Sequence, residues 1–285
     1  MDENQISKQT QPHKVIAIFA HPDDAEVKMG GTAAKLVELG HKVKFVSLTN
    51  GDAGHHLQGG GALASRRREE AQEAGRRLGI DEYVVLDNHD AELLPSLHIR
   101  HQVIREIRKW QADLVIGLRP NDYHPDHRYA GILVMDAAFL VVVPNVTPDT
   151  PALEKNPVFL YMEDGFTKPY PFSPDIVVDI DETFDRKIDA LEAHISQFYE
   201  WLPMVTGITK KVPREAKDRR QFLIDWLDHW NSDMGHLSAG IHESLEKWYG
   251  PDKAKKINRF ESFEIAEYGH QPTDEEIREL FPMLK

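Results

Sequence analysis

The chain has 285 residues, enough for one large α/β domain or one domain with a helical annex. It is 41% hydrophobic and 28% charged, a balance that places it with globular proteins rather than with disordered or membrane-embedded chains. A formal net charge of -13 argues against nucleic acid and anionic membrane surfaces, and the absence of cysteine excludes disulfides and thiolate metal sites, so any metal must take His, Asp or Glu ligands.

Residues 1–13 read as a disordered polar tail without the apolar core of a signal peptide, and the longest apolar run, Ala137 to Val143, is too short to span a bilayer. The expectation is a cytoplasmic protein. Val15 to Ala20 is a continuous apolar run, as a strand buried on both faces should be. A turn follows at His21 to Asp24, then a helix that stops at Gly40, a C-cap candidate. Lys42 to Thr49 is a second strand. The Gly-rich segment from Asn50 to Leu63 reads as loop, with the adjacent His55 and His56 expected on its solvated surface. A charged helix spans about Ser65 to Leu78. Glu82 to Asp87 is a third strand, His98 to Trp110 a helix and Asp113 to Leu118 a fourth strand. After the loop Arg119 to His127 another helix opens, and FLYMED and DIVVDI add two strands.

This alternation predicts an α/β fold, a mostly parallel sheet with helices on both faces. From about Glu182 the pattern changes. Residues 14–200 are expected to form the α/β domain, and residues 201–285 a mostly helical extension packed on it.

Two clusters carry chemistry. His21-Pro22-Asp23-Asp24 follows strand one, and His124-Pro125-Asp126-His127 follows strand four. Open α/β sheets bind ligands beyond the carboxyl ends of their strands, where the strand order reverses. With the order 3-2-1-4, strands one and four are neighbours and the clusters face each other. A catalytic zinc takes three His or carboxylate ligands and keeps one position open; His21, Asp24 and His127 satisfy that count. Asp23 is then the candidate general base, and His124 the group that protonates a leaving amine or stabilises an oxyanion. Asp126 is expected to orient His124. The competing reading of either motif alone is a helix N-cap or a proline turn with solvated charges.

The segments AHPDDAEVKMGGTAAKL, SLTNGDAG and YHPDH together resemble the PIG-L/LmbE-type deacetylases, over about residues 14–200. That family includes N-acetylglucosaminyl-phosphatidylinositol de-N-acetylase and deacetylases of mycothiol and bacillithiol synthesis. The resemblance implies a Rossmann-like fold and Zn²⁺, or another divalent ion, on His21, Asp24 and His127. It also implies Asp23 as base, and His124 acting at the transition state. It further suggests substrate contacts from Arg67, Asp90 and His194. Some members carry a Tyr two positions before the first His of HPDH, where this chain has Asp122.

The implied activity is hydrolysis of an N-acetyl group from an N-acetylglucosamine-like sugar, giving acetate and an amine. Three rivals stand beside it: an amidase acting on a small thiol conjugate, a nucleotide-binding module without catalysis, and a catalytically silent metal-binding or interaction protein. The expected partner is a small N-acetylated substrate, with self-association compatible with the sequence.

Overall fold

A computed structural model describes residues 12–232 and 238–284. Most of the expected N-terminal tail, residues 1–11, lies outside the described residues. His13 does not belong to a tail: its backbone N–H donates to His41 Nδ1 at 3.0 Å, just before the first strand.

Five strands form the parallel part of the sheet, and all but the third, an edge strand, are almost completely buried. They are β1 (Lys14–Phe19), β2 (Lys42–Thr49), β3 (Glu82–Asn88), β4 (Leu114–Gly117) and β5 (Val158–Met162). All pair in parallel in the order β3-β2-β1-β4-β5, so the order reverses beside β1, as expected from the sequence. Every β1 residue from Val15 onward is buried, because helices cover both faces of the sheet.

The helices that connect these strands are α1 (Asp24–Glu38), α2 (Gly60–Leu78), α3 (Leu97–Trp110) and α4 (Pro125–Leu140). Helix α3 packs on α4, whereas α1 and α2 both pack on α5 (Phe184–Leu191). Helix α2 starts earlier than the glycine run suggested. Gly59 is an extended N-cap, Gly60 donates to Asp52 O, and Leu63 is buried.

The C-terminal third is mostly helical, as expected, but it does more than pack on the domain. Strand β6 (Ile176–Asp179) is followed by α5, a π-turn at Ser196–Trp201, and helices α6 (Leu202–Val205), α7 (Ala216–Ser232), α8 (Ser238–Tyr249) and α9 (Pro251–Ala254). The chain then forms β7 (Phe260–Gly269), which inserts between β5 and β6 and runs antiparallel to both, before α10 (Asp274–Leu280). Residue 200 is therefore no boundary of the sheet.

Strand β7 also reaches the helix that carries the first motif. Helix α1 is kinked at Met29, and just past the kink the N–H groups of Gly31 and Thr32 turn to a side chain. The Glu261 carboxylate accepts both, at 3.0 and 2.6 Å, and pairs with Lys187 Nζ at 2.7 Å. Gly31 is required there: a Cβ would lie 2.8 Å from Ile180. The fully buried Arg108 has no carboxylate hydrogen bond among the described residues. It donates to the carbonyls of Leu140, Val141, Val143, Val146, Thr147 and Thr150, shaping the turn after α4.

Candidate metal centre

Both histidine motifs emerge at the carboxyl ends of adjacent strands. β1 ends at Phe19 and the chain turns tightly, with Asp23 N–H donating to His21 O at 2.9 Å. Asp24 opens α1, and its Oδ2 accepts the His21 N–H at 2.8 Å. After β4, His124 is the N-cap of α4: its Nδ1 accepts the Asp126 N–H at 3.2 Å, and Pro125 occupies the first helical position. Each motif is thus also a helix start, as the capping reading expects.

Three ligating groups converge between them, the Asp24 carboxylate turning one oxygen to each histidine. His21 Nδ1 lies 3.1 Å from His127 Nε2 and 3.6 Å from Asp24 Oδ2, and His127 Nε2 lies 3.5 Å from Asp24 Oδ1. Ligands bound tetrahedrally at about 2.0–2.2 Å from one ion stand about 3.4 Å apart, so this triangle fits a metal. Nitrogens of His21, His124 and His127 also form a cluster dense enough for an ion, one that does not include Asp24, with the His124 ring edge-on to His21 at 4.7 Å between centroids.

The outward nitrogens of the two histidines face carboxylates. His21 Nε2 is 3.1 Å from Asp90 Oδ1 and 3.4 Å from Asp126 Oδ2, although neither oxygen is aligned for a regular hydrogen bond. His127 Nδ1 is 3.2 Å from Asp122 Oδ1. His21, Asp90 and Asp126 also form a cluster dense enough for an ion. The Asp126 carboxylate, however, already accepts the N–H groups of Ala91 and Leu93, at 2.7 and 3.2 Å, which suits a support better than a ligand.

The charges follow from this crowding. Burial works against the Asp24 carboxylate, but His127 and His21 beside it hold its pKa well below the usual range. Asp90 is likewise lowered to about 2: burial opposes the shift, and His21 and Arg67 drive it. His21 is pulled above its ordinary value despite burial, by Asp126, Asp24 and Asp90. His124 is lowered, first by burial and then by the neighbouring His21 and His127.

Asp23 stands beside the triangle. Its Oδ1 accepts from Arg67 Nη2 at 3.1 Å. Arg67 is almost fully buried and donates also to Gly51 O, with Asp90 Oδ2 3.7 Å away, so it lies among protein groups rather than open to a substrate. Gly51 makes this path possible: its φ is +72°, and a Cβ would fall 2.5 Å from the guanidinium.

Other expected placements differ. The Asp126 carboxylate does not orient His124; its backbone N–H does, because at the second helical position the side chain turns back to the unpaired N–H groups of the 91–93 loop. His194 does not reach the site. It is fully buried and pairs with Glu26 Oε1 at 3.0 Å, and Glu26 also accepts the Tyr83 hydroxyl. His55 is not solvated: its Nε2 lies 2.9 Å from Glu200, and its Nδ1 accepts the N–H groups of Leu57 and Gln58. Asp122 and Asp52 went unnoticed as partners. Asp52 accepts the Asp90 N–H at 3.0 Å. The readable signal for Asp122 was the Asp-x-His spacing, in which a carboxylate caps the N–H two residues on.

Comparison with known proteins places the chain in a family. The family described as GlcNAc-PI de-N-acetylase matches residues 16–138. The chain is 33% identical over 205 residues to diacetylchitobiose deacetylase of Thermococcus kodakarensis, covering 68% of this chain and 76% of the relative. Among solved structures, N,N'-diacetylchitobiose deacetylase from Pyrococcus horikoshii aligns with a TM-score of 0.67 and 26% identity, over 90% of this chain and 84% of the other. GalB, the 4-carboxy-2-hydroxymuconate hydratase of Pseudomonas putida, aligns at 0.63 and 18% identity, over 92% and 97%, a likeness of fold alone.

Proposed function

This chain belongs to the PIG-L (GlcNAc-PI de-N-acetylase) family, and from that premise we propose that it removes the N-acetyl group of an N-acetylglucosamine-type sugar, giving acetate and a free amine, at a divalent ion held by His21, Asp24 and His127. The observation that carries the reading is the triangle of ligating groups with Asp23 at its side. Zn²⁺ suits a set of two His and one carboxylate best. When bound, such an ion polarises the acetyl carbonyl and lowers the pKa of water.

The chain's own groups do the rest. Arg67 engages one oxygen of Asp23 and fixes the carboxylate, leaving Oδ2 to accept the proton of the attacking water and pass it to the departing amine. His124 Nδ1 is occupied by the Asp126 N–H, which places the ring proton of the neutral imidazole on Nε2. From there it donates a hydrogen bond to the oxyanion of the tetrahedral intermediate. The lowered pKa of His124 favours that neutral donor over a protonated acid.

A second feature supports a glycoside longer than one sugar. Arg119, Pro120, Asn121, Pro169 and Tyr170 line a cavity of about 170 Å³ between the loops that leave β4 and β5. Tyr170 offers a half-exposed ring of the kind on which sugars stack. No helix among the described residues is long and apolar enough to cross a membrane. The cysteine-free composition supports a cytoplasmic location.

A panel of N-acetylglucosamine, N,N'-diacetylchitobiose, N-acetylglucosaminides with other aglycones, and N-acylated thiol conjugates tests the reading through acetate release. Turnover of the sugars supports it. Turnover restricted to the thiol conjugates identifies the amidase instead, which would use the same side chains.

A further inference from the structure

Asp122 lies where the loop from β4 turns into α4, and its side chain is 11% exposed. One oxygen, Oδ1, makes two contacts. It accepts the His124 N–H at 2.9 Å and lies 3.2 Å from His127 Nδ1. Arg128 locks the same turn from the other side, donating to the carbonyls of Asp122 and Tyr123 at 2.8 and 3.1 Å. A helix-capping turn accounts for the first contact. It does not account for the second, which joins the carboxylate to a side chain five residues on.

The two nitrogens of an imidazole point to opposite sides of the ring. With Nδ1 on Asp122, His127 Nε2 faces His21 Nδ1 and Asp24. We propose that Asp122 is the positioning residue of the metal centre. It holds the proton of His127 on Nδ1 and the Nε2 lone pair toward the ion, and its charge makes that nitrogen a stronger donor. Because the same oxygen also holds the His124 N–H, the metal ligand and the oxyanion donor are set by one group. Asp90 and Asp126 occupy the matching place behind His21.

This inference rests on the metal reading above, and its test separates the two. Zinc affinity is measured by competition between the zinc-loaded protein and a chromogenic chelator, for wild type, Asp122→Asn, Asp122→Ala and His127→Ala. Thermal melting of the same proteins follows the fold. Asn keeps an acceptor for the His124 N–H and so preserves the turn, but it removes the charge. The expected result is about 10-fold weaker zinc binding in Asp122→Asn and up to about 100-fold in Asp122→Ala, with the Asn variant melting like wild type. Should the Ala variant fail to fold, the Asn variant decides alone. Wild-type zinc affinity in Asp122→Asn would overturn the proposal and leave Asp122 a turn residue, while His127→Ala still loses the metal. A wild-type protein that binds no zinc would overturn the metal reading and this inference with it.

Discussion

Replacing Asp23 with Asn separates catalysis from metal binding. The substitution keeps size and polarity, and it removes the group that accepts the proton. The ligating groups of His21, Asp24 and His127 remain in place, so zinc content should stay at the wild-type level. The fold should tolerate the change as well. Arg67 is buried and loses a charged partner, but Asp90 Oδ2 at 3.7 Å and Gly51 O at 3.3 Å remain beside it. A positioned base is worth about 10²–10⁴ in rate. At about 1.4 kcal/mol per decade, kcat should therefore fall by about 3–5 kcal/mol of transition-state stabilisation, with KM changed little. The assay is acetate release under saturating sugar, with metal content measured on the same preparation. Near-wild-type kcat in Asp23→Asn, or zinc lost from that variant, refutes the assignment of Asp23 as base.

Other consequences can be checked independently. His124→Ala should keep its zinc and lose about 10²–10³ in kcat, the usual worth of one oxyanion donor, whereas Asp24→Ala should lose the metal; zinc loss in the former with retention in the latter would exchange their roles. Arg108→Met should cost at least about 3 kcal/mol in urea unfolding, because it strands several buried carbonyls after α4; a cost below about 1 kcal/mol contradicts that account. The Glu200 carboxyl is held below its ordinary 4.5, by Arg66 first and His55 also, so its contribution to holding the 51–59 loop is present above that pH and lost as pH falls through the lower folded value. Hydrogen-exchange protection at Leu57 and Gln58 should fall in that acid window, and Glu200→Gln should abolish the dependence. Tyr170→Ala should reduce kcat/KM about 10-fold for a two-sugar substrate while leaving N-acetylglucosamine unchanged; equal losses on both would remove the cavity as a sugar subsite.

The parts of this protein that were legible in the sequence are those in which a short segment carries its own message. VIAIFA reads as an interior strand because its apolar run is short and continuous, and two His-Pro-Asp motifs placed after strands one and four meet once the strand order reverses beside β1. The partners of those motifs were less legible, since each contact joins distant segments. Glu26 and His194 are 168 positions apart, and His55 and Glu200 are 145 apart. A local reading sees only a helix-face histidine or a loop histidine in such cases. Strand β7 was hidden for a related reason. FESFEIAEYG carries three glutamates, and its hydrogen-bonding partners β5 and β6 lie about 100 residues upstream. One of those glutamates, Glu261, is buried where it accepts two N–H groups just past the kink in α1, a contact that arises only in the folded chain.

The most direct test of the account is a zinc titration of the metal-stripped protein, with acetate release from an N-acetylglucosamine-type sugar as the readout. Activity should rise from zero and reach its plateau at one equivalent of zinc, and His127→Ala should stay inactive throughout. A metal-stripped protein that releases acetate at the full rate, or a zinc-loaded protein that releases none from any N-acetylated sugar, would contradict it.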